Sequence, residues 1–257
     1  MSKSSKRNWA RTQLCVYCPA EAETIDHVFA RSFFPKADWP GLPEVPACER
    51  CNNEKSKLEN YLATVMLFGS RHADALSRLE EMGERRLSKN EKLRRALQSG
   101  TSTVWTTTDT GIHVPTMAVP FDDARFTPLV ERIVKGLALV EFGVRLDEGD
   151  FVNVITATEI AGVPLFREML AKKSAAKVQR SLGRGAITYE GAQGIDNPHI
   201  TVWLIELMGG LSFHEDGREY LTKIGALTGP RHIQERTELR HKWREGRGAW
   251  DVTKDTP

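Results

Sequence analysis

Four cysteines in two Cys-x-x-Cys pairs constrain this 257-residue chain more than any other feature. Cys15-Val16-Tyr17-Cys18 and Cys48-Glu49-Arg50-Cys51 account for every cysteine present, separated by the insert 19–47. Each pair suits a tight turn that presents two thiolates on one side, and two such turns complete a tetrahedral zinc site. Two disulfides are the other use of four cysteines. The N-terminus Met-Ser-Lys-Ser-Ser-Lys-Arg has no hydrophobic signal segment, and the paired spacing favours metal, so a structural zinc on Cys15, Cys18, Cys48 and Cys51 is the expectation.

Inside the insert stands Thr24-Ile25-Asp26-His27-Val28, and directly after the last cysteine come Asn52-Asn53-Glu54-Lys55. An acid, a histidine and an amide are thereby tied to the frame that holds the zinc. Zinc alone requires none of them.

The runs CVYC, TIDHV and VPACERCNNEKS resemble the HNH endonucleases with a four-cysteine zinc site, over roughly residues 12–62. The resemblance implies a two-stranded hairpin and a helix clasping a catalytic metal, the ββα-metal arrangement. It implies His27 as general base, Asp26 and Asn52 as ligands of a divalent cation, and Lys55 near the same phosphate. This chain departs from the family pattern at two places. Ala30 stands where relatives carry a proline, and no asparagine lies between His27 and Cys51, where Leu42-Pro43-Glu44-Val45 occupies the stretch in which relatives have a residue that helps hold the histidine.

Hydrolysis of a phosphodiester needs an activated water, a counter-charge for the transition state and help for the departing 3′ oxygen. Neutral imidazole can take a proton from water at physiological pH, which suits His27. Carboxylate and amide oxygens are hard donors suited to Mg²⁺ or Mn²⁺, whereas thiolates suit zinc, so two different metals are expected. Each residue also has a plainer use. Asp26 and His27 can be a satisfied polar pair on a strand; Asn52 can cap a helix that begins just after it; Lys55 can be an ordinary solvated helix residue.

The net charge of +2 is too small to argue nucleic-acid binding from the total, so local clusters must carry that argument. No apolar run reaches membrane-spanning length, and a cytoplasmic location with reduced thiols is expected. Residues 1–14 carry Lys3, Lys6, Arg7 and Arg11 without an acid and read as a flexible basic arm. Residues 15–69 form the zinc module, with Phe29, Phe33, Phe34 and Trp39 packing over its hairpin, followed by a helix through Leu58, Tyr61, Leu62 and Val65 that stops near Gly69.

A connector over 70–120 is expected to hold one helix around Ala75 to Met82. A second opens at a capping box, Ser88-Lys89-Asn90-Glu91, and ends near Gly100, before a hairpin over Ser102 to Val119 that turns at Thr110-Gly111. From 121 to 230 a C-terminal α+β domain is built on a helix through Phe126, Leu129, Val130, Ile133, Val134, Leu137 and Val140. Strands follow at Phe151–Ala157, Ala186–Glu190, Ile200–Leu207 and Leu211–His214, with a helix over Leu165–Leu182. That helix and its turn carry Lys172, Lys173, Lys177, Arg180 and Arg184 with no acid between Met169 and Tyr189, a one-signed stretch that marks the DNA-backbone candidate outside the motif. Residues 231–257 are a charged tail, whose stretch Arg231 to Arg247 mixes both signs and reads as a surface helix.

The fold class is therefore α+β: an N-terminal ββα-metal (HNH) zinc module, then a mixed helix and antiparallel-sheet domain. The function expected is a Zn²⁺-containing, Mg²⁺- or Mn²⁺-dependent endonuclease acting on DNA, with RNA open as a substrate. Its C-terminal domain would choose the target, a second copy of the chain or another protein. A zinc-stabilised nucleic-acid-binding module without cleavage is the alternative.

Overall fold

The computed structural model describes residues 3–68, 91–107, 110–118, 121–158, 162–215 and 218–234. The expected helix at 75–82, the residues 88–90 of the capping box, the stop at Gly69 and the tail beyond 234 lie outside the described residues.

Strand β1 (Thr24–His27) pairs antiparallel with β2 (Glu44–Ala47), placing Asp26 opposite Val45 and His27 opposite Glu44. Helix α2 (Glu49–Phe68) follows immediately. It starts at Glu49, so Asn52 lies one turn inside and is not its cap. The early N–H groups already have acceptors: Glu49 N donates to a Glu23 carboxylate oxygen at 3.0 Å, and Cys51 N to Cys48 Sγ at 3.4 Å. Negative groups at a helix N-terminus satisfy its free donors and complement its dipole, which allows the helix to begin directly after Cys48. The N-terminal arm is folded as helix α1 (Lys3–Ala10), contrary to a flexible segment, with Ala10 fully buried at its end.

Helix α3 (Glu91–Gly100) precedes the hairpin β3 (Ser102–Thr107) and β4 (His113–Ala118), whose connection contains Gly111 at φ +81°. Helix α4 (Asp123–Phe142) buries Phe126, Leu129, Val130, Ile133, Val134 and Leu137, while Val140 is exposed. It ends at Gly143 in the left-handed region, where the Gly143 and Val144 amides close on Leu139 O and Ala138 O, a Schellman-type stop.

The remaining elements are β5 (Asp150–Thr158), α5 (Val163–Ala171), β6 (Ala176–Leu182), β7 (Ile187–Gln193), β8 (Thr201–Leu207), β9 (Leu211–Glu215) and β10 (Arg218–Pro230). They form one antiparallel sheet in the order β5-β10-β8-β7-β6, with β9 on the first part of β10. The helix expected through Leu182 is corrected: α5 stops at Ala171, Lys172 is extended at ψ 157°, and Ala176–Leu182 is an edge strand. Its alternation explains why, since Ala176 and Val178, two apart, are both half-buried while Lys177 and Gln179 are exposed, a period of two that a helix cannot satisfy.

Strand β10, absent from the sequence expectations, joins β5 to β8. Its Gly225 and Gly229 lower strand propensity, yet Gly225 is needed where it stands: a Cβ there would fall 2.1 Å from the Phe166 ring of α5.

One apolar core runs through the four-cysteine module, α4 and the sheet. Phe29, Phe33, Phe34 and Val45 join Leu129, Ile133 and Leu137 of α4 and Tyr189, Trp203 and Ile205 of the sheet. Phe166 and Leu170 of α5 cover the opposite sheet face with Ala192 and Leu204. The aromatic insert thus packs against the rest of the molecule. No helix among the described residues is long and apolar enough to cross a membrane.

Candidate metal centre and the adjoining strand-helix seam

The Sγ atoms of Cys15, Cys18, Cys48 and Cys51 all lie within 4.8 Å of one another. Cys18 Sγ and Cys48 Sγ are 3.7 Å apart, and no disulfide forms. A tetrahedron of Zn–S bonds of about 2.3 Å has edges of about 3.8 Å, so this spacing fits sulfurs sharing one zinc ion and is far outside disulfide length. Backbone amides of Tyr17 and Cys51 point at Cys15 Sγ and Cys48 Sγ, each at 3.4 Å.

Burial pushes the thiols of Cys15 and Cys51 up. Burial acts on Cys18 too, but the Ala20 amide and the neighbouring thiols bring it down to about 7. The raised thiols of Cys15 and Cys51 hold their protons until a dication displaces them. Arg145, beyond the end of α4, donates through Nε to Cys15 O at 3.0 Å and through Nη2 to Cys18 O at 2.7 Å, fastening the first turn to the C-terminal half. The Arg50 guanidinium, raised above its ordinary pKa mainly by its bond to Cys18, adds a positive group beside the sulfurs.

Tyr17, between the first two cysteines, points into a second polar cluster. Its hydroxyl donates to Asp26 Oδ2 at 2.6 Å. Lys55 Nζ lies 3.0 Å from the same oxygen, donates to His27 O at 2.6 Å and pairs with Glu59 one helical turn on. The Lys55 side chain is 0% exposed, so the plainer use as an ordinary solvated helix residue is corrected: its charge is engaged inside the fold. Burial pushes the Glu59 carboxyl up, and Lys55 pulls it back. The contacts that Tyr17 and Lys55 make with Asp26 both fall on Oδ2.

Asn52 donates through Nδ2 to Thr24 Oγ1 at 2.9 Å, while its own amide N–H bonds Cys48 O within the helix. Thr24 and Asp26 are two apart on β1 and so share a strand face; Asn52 and Lys55 are three apart on α2 and share a helix face. Asp26 and Asn52 therefore meet at one seam between strand and helix. His27, the next residue on β1, has its Nε2 3.4 Å from Glu44 Oε1. Burial lowers its pKa below the ordinary histidine value, with Arg31 and Lys55 acting the same way and Glu44 and Asp26 opposing, so the ring is neutral at pH 7.

The basic stretch does not gather on a helix. Lys172 and Lys173 follow α5, Lys177 and Arg180 lie on β6, and Arg184 sits in the turn to β7. Acids from elsewhere approach three of them: Glu168 stands 3.4 Å from Lys172, Glu141 3.6 Å from Arg180 and Asp38 3.6 Å from Arg184. That turn abuts the insert of the zinc module, because a Cβ on Gly183 would lie 2.3 Å from the Phe34 ring.

Sequence reasoning passed over Tyr17, Glu44, Glu59 and Arg145. The Lys55–Glu59 spacing of four was a readable signal. Tyr17 and Glu44 needed the hairpin register, and Arg145 needed the tertiary fold. Among the described residues no second group of three or more His, Cys, Asp or Glu side chains converges as the cysteines do. Compared with models of known protein families, with curated proteins and with solved structures, the chain matches none.

Proposed function

We propose that this protein is a metal-dependent endonuclease that hydrolyses phosphodiester bonds in DNA at the seam between β1 and α2. The observation that carries the reading is the orientation of Asn52. Its amide nitrogen is committed to Thr24, which leaves the amide oxygen as the free end on the helix face that meets Asp26, beside a neutral His27. A carboxylate oxygen and an amide oxygen are a hard donor pair that fits Mg²⁺ or Mn²⁺, an ion that keeps several waters and takes few protein ligands. Asp26 and Asn52 would hold it, and its chemistry there is neutralisation of charge on the scissile phosphate and the departing oxygen.

The remaining work belongs to the chain. His27 accepts a proton from a water whose oxygen bonds to phosphorus; the bond from phosphorus to the 3′ oxygen breaks, and that oxygen takes a proton from solvent. The Cys₄ site holds the strand and helix in register. Lys172, Lys173, Lys177, Arg180 and Arg184 are proposed to meet the DNA backbone, since exposed ion pairs of the kind they make are weak and leave their charge available.

One observation favours the alternative, a nucleic-acid-binding module without cleavage: Asp26 already has a cation in Lys55 and a donor in Tyr17, as a purely structural carboxylate would. Plasmid and single-stranded circles incubated with and without Mg²⁺ or Mn²⁺ separate the two. The proposal expects nicking that His27→Ala reduces on the order of 10²–10⁴-fold while DNA affinity and melting temperature hold. Asp26→Ala and Asn52→Ala should recover part of their loss at high Mn²⁺, and His27→Ala should not. Binding without cleavage under every divalent ion would transfer the assignment to the binding module.

A further inference from the structure

Helix α5 covers only part of the sheet face on which it packs. Its Phe166 and Leu170 reach Ala192 and Leu204, and beyond them a cavity of about 390 Å³ opens over β6, β7, β8 and β10. The strand register lays out the floor as a grid: Gln179 faces Glu190, which faces Leu204, and Ser181 faces Thr188, which faces Glu206. Facing residues, and residues two apart on a strand, share a sheet face, so these six side chains stand over one space. Lys223 joins them, its Nζ 2.7 Å from Glu206 Oε2. Arg180 and Tyr189 alternate to the other face, where Glu141 of α4 meets both.

The Lys223 ion pair balances Glu206. The side chains of Gln179, Ser181, Thr188 and Glu190 make no hydrogen bond or ion pair among the described residues. Leu204 alone is apolar in the grid, so an apolar protein surface would find little to bury there. Cations border it: Lys172 and Lys173 follow α5, and Lys177 lies two residues before Gln179 with its Nζ 3.1 Å from Ala171 O. Cations meet phosphates, polar side chains meet base edges, and the major groove of a duplex admits a two-stranded ribbon. Strand β6 is the edge of the sheet, which leaves its hairpin with β7 open to such a groove. We infer that this hairpin reads DNA sequence, with Gln179 and Glu190 as base-edge contacts, Ser181 and Thr188 beside them, and Lys172, Lys173 and Lys177 on the flanking phosphates. A carboxamide offers the donor and acceptor that an adenine edge matches, a carboxylate accepts from the amino group of cytosine, and a hydroxyl does either. Gln179 and Ser181 are roughly 6.8 Å apart along the strand, close to two base-pair rises. The inference rests on the reading of DNA as substrate and adds the residues that choose the sequence.

The test selects bound duplexes from a random-sequence pool with the full zinc-loaded chain, without Mg²⁺ or Mn²⁺ so that nothing is cut. The parent should enrich a motif. Gln179→Ala and Glu190→Ala should each relax it at one or two positions, lowering discrimination there on the order of 10–100-fold, with affinity for unselected DNA and melting temperature unchanged. Glu190→Gln should exchange the preferred base at its position, a result that a merely structural role would not give. Lys172→Ala and Lys177→Ala should instead weaken all sequences alike and lower the salt slope of binding by about one each.

A parent that binds DNA without sequence preference would overturn the inference, as would a motif unchanged in the double variant Gln179→Ala/Glu190→Ala, or a loss in that variant equal on all sequences. In each of these cases DNA binding itself stands, and nicking with Mn²⁺ still decides the endonuclease reading. A parent that binds no DNA would overturn both.

Discussion

The two polar clusters at the N-terminal end meet through Tyr17 and differ in how they balance charge. The cysteine site gathers four like donors, with the Arg50 guanidinium at its edge, and four converging thiolates are a donor set that can hold a dication such as zinc. The seam gathers Asp26 and Glu59 around a fully buried Lys55 and supplies part of its own counter-charge. Convergence of identical donors therefore announces a metal, whereas a mixed cluster stands without one and uses an ion only for what the ion does to a substrate. That is why zinc can be read from four cysteines alone, while the catalytic ion remains a proposal resting on the free oxygens of Asp26 and Asn52.

The largest effect that sharpens this contrast is removal of zinc. Structural zinc contributes an apparent 10–16 kcal/mol or so in small zinc-binding peptides, and here the module shares one core with α4 and the sheet. Metal analysis should find one zinc per chain, and chelation or Cys48→Ser should abolish the cooperative melt of the module. Because burial raises the Cys15 and Cys51 thiols, loss of zinc should become easier as pH falls. Reduced protein that carries no zinc and melts normally would erase the distinction between the clusters.

A smaller effect tests the seam. Lys55→Met leaves the buried Asp26 and the half-buried Glu59 without their cation, and breaking a buried pair on one side costs about 3–5 kcal/mol. Denaturant unfolding should show that loss, with zinc content unchanged. Adding Glu59→Gln should return part of it, because one of the two uncompensated charges is then gone. If Lys55→Met is as stable as the parent, Lys55 does not supply the counter-charge that its distances indicate.

What the sequence disclosed follows the same physics. The cysteine pairs, the hairpin and α4 were legible because their signals are local: fixed spacing, alternation beside a turn, and a run of apolar residues at helical period. The basic stretch was misread because charged residues on an edge strand resemble a charged helix face until the partner strand is known, and Val178 and Leu182, four apart, suit a helix face as well as a strand. Strand β10 was hidden by Gly225 and Gly229, which are there for the Phe166 and Phe151 rings and weaken any local strand signal. At the candidate site, the residue types were visible, but Lys55's burial and the Glu44 contact depend on register and tertiary packing.

The smallest effect probes the bond that joins the two clusters. Tyr17 belongs to the first zinc turn by position and to the seam by its hydroxyl, which donates to Asp26 at 2.6 Å. Burial, and then the nearby Asp26 charge, raise its phenol well above the ordinary value, so at neutral pH it is a donor. Tyr17→Phe keeps the ring and removes the bond. A hydrogen bond to a charged group is worth about 1.5–3 kcal/mol, and Lys55 still partners the same oxygen, so a loss near 1.5 kcal/mol is expected, roughly 3–6 °C in melting temperature for a chain of this size.

Zinc content should not change, because the four sulfurs and the Arg145 contacts do not involve the hydroxyl. If Tyr17→Phe released zinc, the clusters would be one cooperative unit. If it kept zinc and full stability but made cleavage more dependent on Mn²⁺, the hydroxyl would serve chiefly to aim Asp26 at the ion.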